Sequence, residues 1–91
     1  MTITFDKTVD AGTFSKQEGA FEVTLPLHLD EVDLNLDLDP DGRVLRLEVL
    51  GMSKLFELIG RYGGELVLPE RVEDYDGFEV LELFPEAKVS A

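Results

Sequence analysis

The sequence predicts an α+β fold: an antiparallel β-meander, one amphipathic helix packed on one sheet face, and two further short strands. Three observations predict it. Residues 21–29 and 32–38 alternate apolar and polar side chains with period two, residues 39–42 read Asp-Pro-Asp-Gly between two such runs, and residues 52–62 repeat apolar side chains at helical spacing. Period two turns successive side chains to opposite faces of a sheet, whereas a helical stripe can cover only one of those faces.

Residues 2–5 form a first strand and residues 11–15 a second, the latter weakened by Gly12. Lys16-Gln17-Glu18-Gly19 reads as a turn. Phe21, Val23, Leu25, Leu27 and Leu29 then share a face, and Pro26, which has no N–H to donate, assigns this strand to a sheet edge or a bulge. The phase breaks at Asp30-Glu31 and resumes as Val32, Leu34, Leu36 and Leu38. Asp39-Pro40-Asp41-Gly42 supplies β-turn chemistry, and residues 43–50 close a hairpin. With Asp39 opposite Gly42, Leu36 faces Leu45, Leu34 faces Leu47 and Val32 faces Val49. A type I turn with a glycine bulge suits the same residues and would set Leu36 against Arg46; burial of the apolar set argues against that slip. Gly51 ends the strand, Ser53 is the expected N-cap, and Met52, Leu55, Phe56, Ile59 and Tyr62 form the buried stripe. Gly63-Gly64 stops the helix. Residues 65–68 and 77–84 are the two further strands, joined by an acidic loop over 70–76, and residues 87–91 are a frayed tail.

Length and composition bound the function. Ninety-one residues suit a single domain, 1–91, with one core, and a hydrophobic fraction of 44% is that of a folded chain. The absence of cysteine excludes disulfides, thiolate metal centres and cysteine nucleophiles. The net charge of −12 repels nucleic acid and anionic membranes, no apolar run reaches membrane-spanning length, and the opening residues have no signal-peptide character; the expected compartment is cytoplasmic.

The sharpest chemical motif is Asp37-x-Asp39-x-Asp41-Gly42, then five residues, then Glu48, which fits the calcium-loop pattern of an EF-hand. Such a loop needs helices on both sides, and the flanking period here is two, so a solvated hairpin turn is the stronger reading and Asp37, Asp39, Asp41 and Glu48 remain a weak calcium set. His28, the one histidine, projects from the polar strand face without a second ligand. Ser15, Ser53 and Ser90 lie in no nucleophile pattern, and Gly63-Gly64 lacks the setting of a phosphate loop. No catalytic residue, metal or cofactor is assigned.

Phe5-Asp6 with Asp10-Ala11, Asp37-Leu38-Asp39 through Gly42-Arg43-Val44, and Glu48-Val49-Leu50 followed by Ser53 together resemble a small bacterial family, domain of unknown function 2283, over roughly residues 1–55. The resemblance implies the meander-plus-helix fold and no activity. Residues 63–91 have no counterpart in it.

The resulting expectation is a non-enzymatic interaction module. Two partners are anticipated. A homodimer would use the strand over 77–84, where Phe78, Val80, Leu81, Leu83 and Phe84 leave both faces partly apolar. A basic protein would dock on the acidic outer face of the central hairpin, with Asp33, Asp37, Asp39, Asp41 and Glu48 as binding residues, because no lysine or arginine occurs between Lys16 and Arg43. The alternative is a small enzyme using carboxylates and His28.

Overall fold

The computed structural model describes residues 1–63 and 65–84, apart from the side chains of Tyr62 and Leu81. Gly64 and the tail expected over 87–91 lie outside the described residues. Five strands, β1 (Thr2–Asp6), β2 (Ala11–Ser15), β3 (Val23–Leu29), β4 (Val32–Leu38) and β5 (Val44–Leu50), precede helix α1 (Met52–Tyr62) and a 3-10 turn, η1 (Val80–Leu83). The strands form one antiparallel sheet in the order β1-β2-β5-β4-β3. Only β3-β4-β5 is a meander; the β1–β2 hairpin attaches to the far side of β5. Pro26 sits on an edge strand, where its missing N–H does least harm. No helix among the described residues is long and apolar enough to cross a membrane.

One apolar cluster holds the elements together. Leu27, Val32, Leu34, Leu36, Leu38, Leu47 and Val49 from the sheet meet Met52, Leu55 and Leu58 of α1. The buried helical stripe therefore differs from the expected one: Leu58 is buried and Ile59 half-buried, while Phe56 is 54% exposed; the Tyr62 side chain lies outside the described residues. The N-cap differs too. Gly51, in left-handed conformation with φ 100°, is the cap residue, and it has no side chain to offer. Asp10, from the β1–β2 turn, does the capping from outside the helix. Its carbonyl accepts from the Gly51 and Met52 amides, each at 2.9 Å, and its carboxylate accepts from the Ser53 N–H at 3.0 Å and the Ser53 hydroxyl at 2.7 Å. A carboxylate here satisfies orphan donors and meets the positive end of the helix dipole. Asp10→Ala should cost about 1 kcal/mol in urea denaturation, and a Ser53→Ala background should shrink that cost, because the two side chains act as one cap. At the other end Gly63, with φ 76°, donates its N–H to the Ile59 carbonyl at 2.9 Å, as expected of a glycine stop.

The β4–β5 pairing is not the expected one. Leu36 faces Leu47 and Leu34 faces Val49, two residues from the predicted partners. Two bulges produce the displacement. Gly42, at φ 81°, donates its N–H to the Asp39 carbonyl, and the Asp39 N–H donates to the Arg43 carbonyl, both at 3.0 Å, so the turn takes the glycine-bulge form. That step alone would set Leu36 against Arg46. The ladder shifts again between Asp37 and Leu38, where Leu38 pairs with Val44 and Asp37 with Arg46, leaving Leu45 as the extra residue. The second step restores the phase. Burial of the apolar set does exclude a net one-residue slip, but two slips satisfy it as well as none.

The Leu45 bulge is held in place by the crossover from β2 to β3. The Leu45 carbonyl accepts from the Lys16 and Gln17 amides at 2.8 and 3.2 Å, and the Leu45 side chain lies where a β-carbon on Gly19 would come within 2.8 Å of it.

The chain after the helix forms neither expected strand. Residues 65–68 make no ladder; the Val67 N–H donates to the Leu83 carbonyl at 2.8 Å, and residues 80–83 are a 3-10 turn. Among the described residues a single bridge, Arg43 to Arg71, with the Val44 N–H donating to the Glu70 carbonyl and the Val72 N–H to the Gly42 carbonyl, ties this segment beside the start of β5. Leu68, Val72, Leu83 and Phe84 enter the core, and Phe78 and Val80 pack against it. Of the apolar residues expected to form a dimer face at 77–84, Leu83 and Phe84 are buried in the internal core and Phe78 and Val80 are half-buried against it.

Candidate functional site

Because the helix and the segment over 65–84 contribute to the cluster on one sheet face, the opposite face is open among the described residues. The ladder pairs fix its composition. Thr24, Asp37, Arg46 and Ser15 form one row, Pro26, Asn35, Glu48 and Thr13 the next, and His28, Asp33, Leu50 and Ala11 the third. Cross-strand neighbours on one face sit close enough to bond, and they do. Asp37 accepts from the Thr24 hydroxyl and from Arg46 Nε, each at 2.8 Å, leaving its side chain 18% exposed. His28 Nδ1 lies 2.8 Å from Asp33 Oδ1, both side chains well exposed. Asn35 Nδ2 reaches Glu48 Oε1 at 3.5 Å. Phe21, expected on the core face, is 55% exposed and borders a shallow concavity of this open face with Thr24, Asn35, Asp37, Arg46 and Glu48.

The five acids read from the sequence as a binding set divide three ways. Asp33, Asp37 and Glu48 share the open face. Asp41 is exposed in the hairpin turn. Asp39 belongs to the fold, since its Oδ1 accepts from the Asp41 and Arg43 amides at 2.9 and 2.8 Å and so shapes the turn. The calcium reading fares accordingly. Strands flank the loop, Asp39 Oδ1 is engaged by backbone donors, and among the described residues no group of three or more His, Asp or Glu side chains is placed to hold a metal ion.

His28 sits on an open strand surface and borders none of the described concavities. A general base needs a substrate held within hydrogen-bond reach, usually in a pocket. The carboxyl group of Asp6, at the end of β1, is held below the ordinary carboxylate range, first by the Thr8 hydroxyl at 2.6 Å and then by the Thr8 amide at 2.9 Å. Its depressed value means that the tie helps the turn above the ordinary carboxylate pKa and is lost as pH falls through the folded value.

Sequence reasoning overlooked Asp10, Thr24 and Asn35 in these networks. Asp10 had a signal, the coincidence of Asp10-Ala11 and Ser53 in the family resemblance; Thr24 and Asn35 had none beyond strand phase. The sequence matches no family model, no curated protein and no solved structure.

Proposed function

We propose that the chain is a non-enzymatic interaction module that holds a basic protein partner against the open face of its sheet. The observation that carries this reading is the one-sided burial: apolar side chains of β2, β3, β4, β5 and the helix form one cluster, and the other face presents Asp33, Asp37 and Glu48 against one arginine. A flat polar surface with paired cross-strand side chains is suited to a macromolecular contact rather than to enclosing a small substrate. The residues that carry the family resemblance have backbone duties, Asp10 and Ser53 at the helix cap and Asp39 and Gly42 in the turn, which supports a shared scaffold and supplies no chemistry.

The test uses a lysine-rich peptide titrated by calorimetry at low and high salt. Asp33→Asn, Asp41→Asn and Glu48→Gln together should weaken binding about tenfold and flatten its salt dependence. A control that neutralises Glu65, Glu73 and Asp76, which lie in the segment after the helix, should bind as the parent does. If both triple variants lose the same affinity, the peptide senses only net charge and the open face is no site.

A further inference from the structure

We propose that the chain self-associates through its β1 edge, with β1 pairing antiparallel to β1 of a second copy and the sheet running continuously across both. All five residues of β1 are exposed, and among the described residues the strand has a hydrogen-bonded neighbour on one side only. Its side chains do not suit an edge that stays in water. Ile3 pairs with buried Phe14, and Phe5 with Gly12, over which Met52 stands, so both lie on the helix-side face, yet they are 56% and 45% exposed. Phe56, one turn beyond Met52 on α1, is exposed as well. An isolated edge is normally blunted by proline, by inward charge or by a covering element. The other edge, β3, has Pro26 and the neighbouring η1; residues 2–5 have neither proline nor charge.

Charge points to a second copy as the occupant. Residues 1–16 contain two acids, Asp6 and Asp10, and two bases, Lys7 and Lys16, so the whole net charge of −12 resides in the remaining chain. Two copies of so acidic a protein repel over most of their surface, and the β1–β2 hairpin is the neutral region where they can meet. The pairing is self-complementary. A two-fold axis through Thr4 sets Ile3 opposite Phe5 of the other copy on the helix side and Thr2 opposite Asp6, with no like charges facing each other within the strand.

This inference goes beyond the acidic-face reading, and salt separates the two: screening should tighten the dimer, because it relieves repulsion between the acidic remainders, and should weaken a basic ligand on the open face. Sedimentation equilibrium over about 1–500 μM should show the mass rising from 10.2 kDa toward twice that value, more readily at high salt. Ile3→Lys with Phe5→Lys should raise the dissociation constant by at least about tenfold, while Phe21→Lys, equally exposed elsewhere, should leave it unchanged. Should the lysine pair disturb the fold, Ile3→Thr with Phe5→Thr keeps strand propensity and should give the same direction of change. In the parent protein, amide-exchange protection of β1 should increase with concentration while β4 and β5 stay constant. A 10.2 kDa species throughout, a dimer indifferent to either β1 pair of substitutions, or one weakened equally by Phe21→Lys would overturn the proposal.

Discussion

Leu47→Ala is expected to cost about 2–5 kcal/mol, a large share of the roughly 5–15 kcal/mol that stabilises a domain. Leu47 is fully buried in β5, the central strand, between Phe14 on β2 and Leu36 on β4. Removing its side chain opens a cavity among close-packed neighbours, and the strand is held from both sides, so relaxation can recover little. Leu36→Ala should cost a similar amount. The informative measurement is the coupling between them in a double-mutant cycle under urea denaturation, which should lie within about 0.5–3 kcal/mol because the residues are direct cross-strand partners. Leu45→Ala should show little coupling to Leu36. Leu45 is the bulged residue and packs outside the main cluster, beneath the crossover at Gly19. A cycle in which Leu36 couples to Leu45 more strongly than to Leu47 would contradict the double bulge.

That cycle bears on how much of the fold the sequence discloses. Local patterning identified the five strands and the helix and turned Val32, Leu34, Leu36, Leu38, Leu47 and Val49 inward, because period two and helical spacing are local properties; it put Leu45 with them, whereas Val44 is the residue that enters the cluster. Register is not local. Asp39, Gly42 and Leu45 each permit a step, and whether steps of one cancel depends on the crossover that receives the Leu45 carbonyl, a contact between segments some thirty residues apart. The helix illustrates the same limit. Met52, Leu55 and Ile59 mark the middle of its buried stripe, but Phe56 and Leu58 flank that stripe on opposite sides, and only the rotation of α1 against the sheet decides that Leu58 goes in. Residues 65–84 read as two strands joined by a loop, yet Leu68, Val72, Leu83 and Phe84 are buried without a ladder; among the described residues the bridge at Arg71 is the one sheet pairing in this segment. Of the candidate site, strand phase alone placed Asp33, Asp37 and Glu48 on one face. It could not reveal that Arg46 and Thr24 hold Asp37, nor that Asp39 serves its own turn, since those depend on the final register.

Gly12→Ala should cost about 1–3 kcal/mol, although a residue in a strand normally gains from losing the freedom of glycine. Its backbone is not in the left-handed region, so the cause is space. A β-carbon at this position would overlap the terminal methyl of Met52 and lie 2.7 Å from the Thr4 carbonyl oxygen. The two obstacles differ in compliance. Met52 has three rotatable bonds and can swing its end away, at the expense of the packing it makes in the core. The Thr4 carbonyl is backbone of β1, which among the described residues pairs with β2 alone and must move as a strand. Met52→Ala should therefore rescue Gly12→Ala only in part: the double variant should be less stable than the parent, yet more stable than the sum of the single losses by about 0.5–3 kcal/mol. The residual loss should appear in amide exchange as faster opening of β1 relative to β3, β4 and β5. A Gly12→Ala variant as stable as the parent, or one whose loss Met52→Ala abolishes completely, would mean that β1 does not lie as close over Gly12 as these distances require.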